Sequence, residues 1–305
     1  MAYQRVGVVG VGLAPSSDQY TEGSLWLNGI VKSWNASLGM PLWSITEGVI
    51  FPINDSNSTF LGASGGHASN YQNYVHTTLS ADSAISDTTI DVTSASGISD
   101  TYNIGIELDS GNMHWTTVSG APSGTTVTLA SGVATAATSG NHVYCYSTKI
   151  DRPLRILQAT VYSYVSDTYI PCEIITPTEF FNLTYLATES YPTQVAYEIG
   201  HNVSNSINMG KFRYWPRFSD GTKIITIRYH RVLHDFDATG DTPDFPQEFY
   251  LPLIAELSCY IGFQYGLPTE KLAFLRREAD RLLEKVSQND YEEGSMQFIP
   301  DRASY

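Results

Sequence analysis

The sequence predicts an α+β fold: N- and C-terminal helices packed as one bundle, an antiparallel β domain, and a small inserted β module. Three observations predict it. Helical periodicity is concentrated at the two ends of the chain, around Pro15–Leu38 and Asp244–Val286. Between them, short runs rich in Thr, Val, Ile and Tyr alternate with Gly, Ser and Asn turns, the composition of strands. Residues 79–148 form a third region, with six acidic residues and no basic ones. The expected divisions are 1–53 (N-terminal part of the bundle), 54–78 (loop), 79–148 (insert), 149–234 (β domain), 235–287 (C-terminal helices) and 288–305 (extended tail).

Taken in order, residues 1–14 are apolar and glycine-rich. Ser16 and Gln19 then form a capping-box pair, and Leu27, Ile30, Val31, Trp34 and Leu38 recur on one helical face. Gly39 and Pro41 end that helix. Residues 42–53 read as one strand, and 54–77 as a polar loop too irregular for a core element. In the insert, Tyr102–Leu108 and Met113–Val118 flank Asp109-Ser110-Gly111-Asn112, a hairpin signal. Residues 88–92 and 125–129 echo each other, and Val143–Tyr146 closes a set of about five or six strands. Loop junctions at both ends suit an autonomous insertion that could be removed without unfolding the rest.

Further strands are expected at 154–164, 169–175, 194–199, 211–215 and 223–232, with a short helix over Thr178–Leu183. In 223–232 the alternation is that of a half-buried strand. The C-terminal helices follow. Asp244 is a candidate N-cap with Gln247 as its box partner, and Tyr250, Leu253, Leu257, Ile261 and Phe263 make the buried stripe. An interior proline costs roughly 3 kcal/mol, so Pro252 requires the helix to start near Tyr250 or to kink. Gly266 and Pro268 stop it. Thr269 caps the last helix, in which Leu272, Leu275, Ala279, Leu282 and Val286 form a short heptad seam. Bundle or ring packing is therefore assigned to Leu253, Leu257, Ile261, Leu272, Leu275 and Leu282.

A net charge of −14 argues against a nucleic-acid-binding surface, because phosphate contact needs clustered Lys and Arg. No Lys or Arg lies between Ser33 and Thr148. Cys145, Cys172 and Cys259 are odd in number and lack a C-x-x-C pair, so they read as reduced thiols of an intracellular assembly environment. No apolar run reaches membrane-spanning length, and no signal-type leader is expected.

Each chemical motif has a plainer explanation. Gly10-Val11-Gly12 lacks the βαβ context of a dinucleotide site. Gly62-Ala63-Ser64-Gly65-Gly66 matches G-x-S-x-G, but a nucleophile elbow needs a strand before Ser64 and a helix after it, and loop-like residues stand on both sides. Asp235, Asp237, Thr239 and Asp241 mimic half of a calcium loop, yet its twelfth position is Pro246 instead of glutamate. His230, His234 and Asp235 are too few for a metal set. No catalytic residue, cofactor or metal is therefore expected.

One resemblance is carried by the order of several segments. They are Arg152-Pro153-Leu154-Arg155-Ile156, Phe180-Phe181-Asn182-Leu183, Tyr191-Pro192-Thr193-Gln194-Val195 and Tyr214-Trp215-Pro216. Ile224–Tyr229, Asp235-Phe236-Asp237, Phe245–Tyr250 and Gly266-Leu267-Pro268 continue the order, and Val31-Lys32-Ser33-Trp34 belongs to it near the N-terminus. Together, over most of 1–53 and 150–287, they resemble the head-to-tail adaptor (connector) proteins of short-tailed bacteriophages. Pro252 and the 79–148 insert depart from the pattern.

The resemblance implies a non-enzymatic virion protein at the phage neck or tail, assembled in the host cytoplasm. It implies a ring of about twelve copies, a portal protein and a tail nozzle or hub protein as partners, and genomic DNA passing through without sequence-specific contact or any membrane. It also implies portal docking by the C-terminal extension, here through Phe298, Ile299 and Tyr305. The alternatives are another phage tail subunit (tail tube or fibre anchor) and, further off, a serine hydrolase.

Overall fold

The computed structural model describes residues 1–37, 44–53, 56–203, 206–234, 236 and 244–288. The chain forms two compact units, one from Met1–Ser44 with Leu233–Tyr305 and the other from Ile45–Val232. In the first, α1 (Ala2–Val6) ends on Gly7 in the left-handed conformation. The helix α2 (Ser17–Ser37) starts with the expected capping box: Gln19 N–H donates to Ser16 Oγ, and Ser16 N–H to Gln19 Oε1. Its buried face is Ile30, Val31 and Trp34, with Leu27 partly covered.

The second unit is built on an eight-stranded sheet. Its first strands are β1 (Ile45–Ile50), β2 (Ser58–Leu61) and β3 (Ala68–Asn70), and β4 (Tyr74–Thr78) leads into the insert. The insert supplies β5 (Thr89–Asp91), β6 (Asn103–Glu107), β7 (Met113–Thr117), β8 (Thr126–Thr128) and β9 (His142–Tyr146). Next come β10 (Arg155–Ser163), β11 (Thr168–Ile174) and the short α3 (Pro177–Phe181), capped by a Thr176–Glu179 box. They are followed by β12 (Glu189–Ser190), β13 (Gln194–Val203), β14 (Ser206–Trp215), β15 (Arg217–Phe218) and β16 (Lys223–His230).

The strand order is β2-β14-β13-β11-β10-β16-β1-β3. Neighbours are antiparallel except β11 and β13, which are joined by the crossover that carries α3, as a parallel pair requires. The two ends of this order, β2 and β3, are separated by only residues 62–67, and Leu61 and Ala68 sit in one core with Phe212, Val195, Ile225 and Tyr229. The sheet therefore curls into a nearly closed, barrel-like form. The expected polar loop over 54–77 is corrected accordingly: it carries β2, β3 and β4, and Leu61 and Ala68 are buried.

The insert has its own core of Leu79, Ile90, Val92, Ile104, Ile106, Val127, Leu129 and Val143. Its main sheet runs β4-β9-β6-β7, and the echoing segments pair with each other as the ribbon β5-β8. The hairpin closes at Asp109–Asn112, where Gly111 takes φ +82°. A second, aromatic layer joins the insert to the main sheet: Val49, Phe51 and Ile224 pack with Met113, Tyr144 and Tyr146. The alternation predicted for β16 holds at its centre, where half-buried Thr226 and exposed Arg228 alternate with buried neighbours, while the insert also covers the other face near the strand's start. Ile225, Ile227 and Tyr229 face the barrel interior, and Ile224 is also buried, under the insert.

The helical unit is completed by α4 (Tyr250–Gln264) and α5 (Thr269–Ser287). Pro252 is the third residue of α4, where its missing N–H has no intrahelical acceptor to lose, so a start at Tyr250 accommodates it. The preceding residue, Phe249, is the N-cap, so Asp244 does not cap this helix. Thr269 is likewise the first helical residue of α5, and Pro268 occupies its cap.

The expected fold class, an α+β protein organised on a bundle of terminal helices with a β domain attached, is overturned. The chain is mostly β, and helices make up 27%, too little to be the organising core. The physical reason is that helix signals are local and strong, whereas the sheet is assembled from short strands whose partners lie far along the chain.

Candidate functional site

The side chains assigned to bundle packing fall into two groups. Leu253, Ile261 and Leu275 are buried, whereas Leu257, Leu272 and Leu282 are half-buried. Leu253 and Leu257 pack with Ile30, Val31 and Trp34 of α2, and Leu257 also reaches the cluster of Ala2, Tyr3 and Ile261. Leu272 lies over Gly262, which joins α5 to α4. Phe263 leaves the stripe and is 78% exposed. Two residues beyond Ile261, it turns about 200° around the axis, away from the buried face.

Polar contacts fix the same helices. Trp34 Nε1–H donates to Glu256 Oε2 at 2.6 Å, and Trp26 stacks on Tyr260 at 5.1 Å between centroids. Leu275→Ala with Leu282→Ala is expected to destabilise the chain by about 3–5 kcal/mol, most of it from the buried Leu275. A urea melt measures this, and an unchanged midpoint would show that the α5 face contributes nothing.

The tail residues Phe298, Ile299 and Tyr305 lie outside the described residues, as do Asp235, Asp237, Thr239 and Asp241 of the acidic loop. Among the described residues, no group of three or more His, Cys, Asp or Glu side chains is placed to hold a metal ion. His230 is buried at the end of β16, where burial and Arg155 push its pKa down. Ser64 is exposed on the turn between β2 and β3, and a strand follows it where an elbow needs a helix. Cys145 and Cys172 are free thiols pushed up by burial to about 12 and about 11, which makes them poor nucleophiles.

Sequence reasoning did not anticipate the concentration of aromatic and imidazole rings between the insert and the main sheet. Phe51 is fully buried, stacked on Tyr146 at 5.2 Å and touched by Tyr74, Trp115 and Tyr144. His67 stacks on Trp115 at 3.9 Å, and its Nδ1 is 2.8 Å from Tyr146 Oη. His76 stacks on Tyr164 at 3.7 Å, and its Nε2 lies 2.7 Å from His142 Nδ1.

Burial lowers His67 and His76 to about 4, helped by Lys149 and by His142 respectively. Glu107, itself buried, accepts from the backbone N–H of both Gly221 and His142. The histidines thus meet a phenol and another imidazole, an arrangement that locks two layers together. The signal was present in the sequence as Tyr144/Tyr146 and Tyr162/Tyr164, aromatic pairs two apart that share one strand face.

Large apolar side chains remain open on the helical unit. Leu25 of α2 is 73% exposed and Phe274 of α5 is 68% exposed, and Leu251 of α4 is also uncovered. In the β unit, Phe181 and Tyr185 are exposed, with Arg213 4.6 Å from the Phe181 ring centroid. No described helix is long and apolar enough to cross a membrane.

No protein-family model matches the chain, and no curated protein matches it. Among solved structures, it is similar to the Gp54 tailspike of Acinetobacter baumannii bacteriophage AP22, determined in complex with A. baumannii capsular saccharide. That similarity covers 24% of this chain and 15% of the tailspike chain, at 18% identity and a TM-score of 0.22. It is a weak, partial likeness to a phage tail-associated protein and does not identify an adaptor.

Proposed function

We propose that the chain is a structural subunit of a bacteriophage tail, acting by assembly and without catalysis. The observation that carries this reading is the apolar surface left open on the helical unit, at Leu25, Leu251, Phe263 and Phe274. Each apolar Å² covered by a neighbour contributes about 25 cal/mol, so such side chains favour repeated contact between copies. The resemblance of the segments over 150–287 to phage connectors supplies the context.

The narrower reading is the head-to-tail adaptor: a ring of about twelve copies between the portal and a tail nozzle or hub, lining the DNA channel. The excess of acidic over basic residues, 31 against 17, supports it, because phosphate contacts would retard sliding DNA.

Cryo-electron microscopy of the purified protein, with and without portal, tests both levels. Closed rings are the expected result. Twelve-fold rings seated on the portal support the adaptor, while six- or three-fold assemblies favour a tail-tube or fibre-anchoring subunit. A protein that stays monomeric at high concentration and ignores the portal overturns the proposal.

A further inference from the structure

The sheet face that carries the aromatic layer continues past it into a hollow of about 190 Å³. It is lined by Glu47 on β1, Thr226 and Arg228 on β16, Gln158 and Thr160 on β10, and Tyr169 on β11, with Tyr71 at the side. The strand register places these residues together. Arg228 stands directly opposite Glu47 on one side and Gln158 on the other, and Thr226 stands opposite Thr160. The three strands therefore present a row of carboxylate, guanidinium and amide, with the two threonines one step along the same face.

Two features characterise this row. Among the described residues, the side chains of Glu47, Gln158 and Arg228 form no hydrogen bond or ion pair, although Glu47 and Arg228 are cross-strand neighbours of opposite charge. All three are exposed, so their donors and acceptors are open to a ligand at the hollow they line. Tyr162 packs against Tyr169 at 4.7 Å between ring centroids, and Tyr71 stands at the side of the hollow. A phenolic ring with an apolar face thus stands beside solvent-exposed planar polar groups.

The composition narrows the ligand. One carboxylate beside one guanidinium gives no net field, so neither a phosphate nor a simple cation is selected. The hollow is smaller and more polar than the 300–1,000 Å³ apolar clefts that take drug-like molecules. An uncharged, hydroxyl-rich ring matches it: C–H faces against tyrosine, and hydroxyls donating to Glu47 and Gln158 Oε1 and accepting from Arg228 and Gln158 Nε2.

We infer that this hollow binds a single saccharide unit, presented free or as part of a glycan. This inference is independent of the assembly reading above.

Saturation-transfer difference NMR on the full chain tests it, with galactose, glucose and N-acetylglucosamine as probes and glycine as a zwitterionic control. Saturation of the ring protons of at least one sugar is expected. Tyr169→Ala and Gln158→Ala, both at exposed positions, are expected to weaken that sugar by roughly tenfold. Near-UV circular dichroism verifies that each variant is folded, and Gln158→Ala decides the matter if Tyr169→Ala is not. Absence of saturation with every sugar, a response to glycine alone, or sugar binding unchanged in folded variants would overturn the assignment.

Discussion

Replacing residues 79–148 with a short Gly/Ser linker is expected to leave an aggregated or molten chain. The segment has its own core and loop-like junctions, the properties that make it look removable from the sequence. Its docking layer argues otherwise. Deletion strips Tyr144, Tyr146, Met113 and Trp115 from Val49, Phe51 and Ile224, and removes β9, the only strand paired with β4 among the described residues. Phe51 is 0% exposed and, among the described residues, makes four aromatic contacts, three of them to residues of the insert.

The single substitution Phe51→Ala isolates this term. Truncating a buried phenylalanine costs about 3–5 kcal/mol, a large part of the roughly 5–15 kcal/mol that holds a domain folded. Near-UV circular dichroism and urea melts measure both variants. A deletion protein with native near-UV signal and a sharp transition would show that the aromatic layer is dispensable and the insert autonomous.

Local chemistry was legible in the sequence; pairing between distant strands was not. The Ser16/Gln19 box and the hairpin at Asp109–Asn112 depend on residues a few positions apart, and all are in place. Pro252 limited α4 to a start near Tyr250 or a kink, and the start at Tyr250 is what is found. The echo of 88–92 in 125–129 was visible as a repeat, but not as a pair of strands bonded to each other. Residues 54–77 failed because Asn, Ser and Gly hide strands whose burial comes from distant partners. Leu61 is covered through β14, whose Gly210 lies opposite it, and Ile50 pairs with Ile225. The saccharide hollow is the extreme case. Glu47, Gln158 and Arg228 carry no spacing signal, since they meet only after three strands from distant parts of the chain come into register.

Acid is expected to loosen the same aromatic layer before the carboxylates respond. His67 and His76 are held neutral, with pKa values near 4 against an ordinary 6.5, chiefly because charging them would mean desolvating a cation. Between pH 6.5 and about 4 the unfolded chain therefore binds protons that the folded chain does not. Stability is full above pH 6.5 and falls as pH drops toward 4.

His142, also lowered, faces Glu107, Asp220 and Lys223, and a protonated His76 would place a second positive charge 2.7 Å from its ring nitrogen. The neighbouring phenols of Tyr74, Tyr144 and Tyr164 are raised and stay neutral throughout this range. Because both rings keep some contact with solvent, the loss is on the order of 1–2 kcal/mol per histidine.

Urea melts at pH 7, 5.5 and 4.5 read the slope. His67→Asn keeps an acceptor for Tyr146 near Nδ1, and His76→Gln keeps a polar partner for His142 near Nε2, but neither replacement titrates. The double variant is expected to lose most of the decline between pH 6.5 and 4.5. If the native chain is equally stable at pH 7 and 4.5, or the double variant declines just as steeply, the two histidines do not couple this layer to pH.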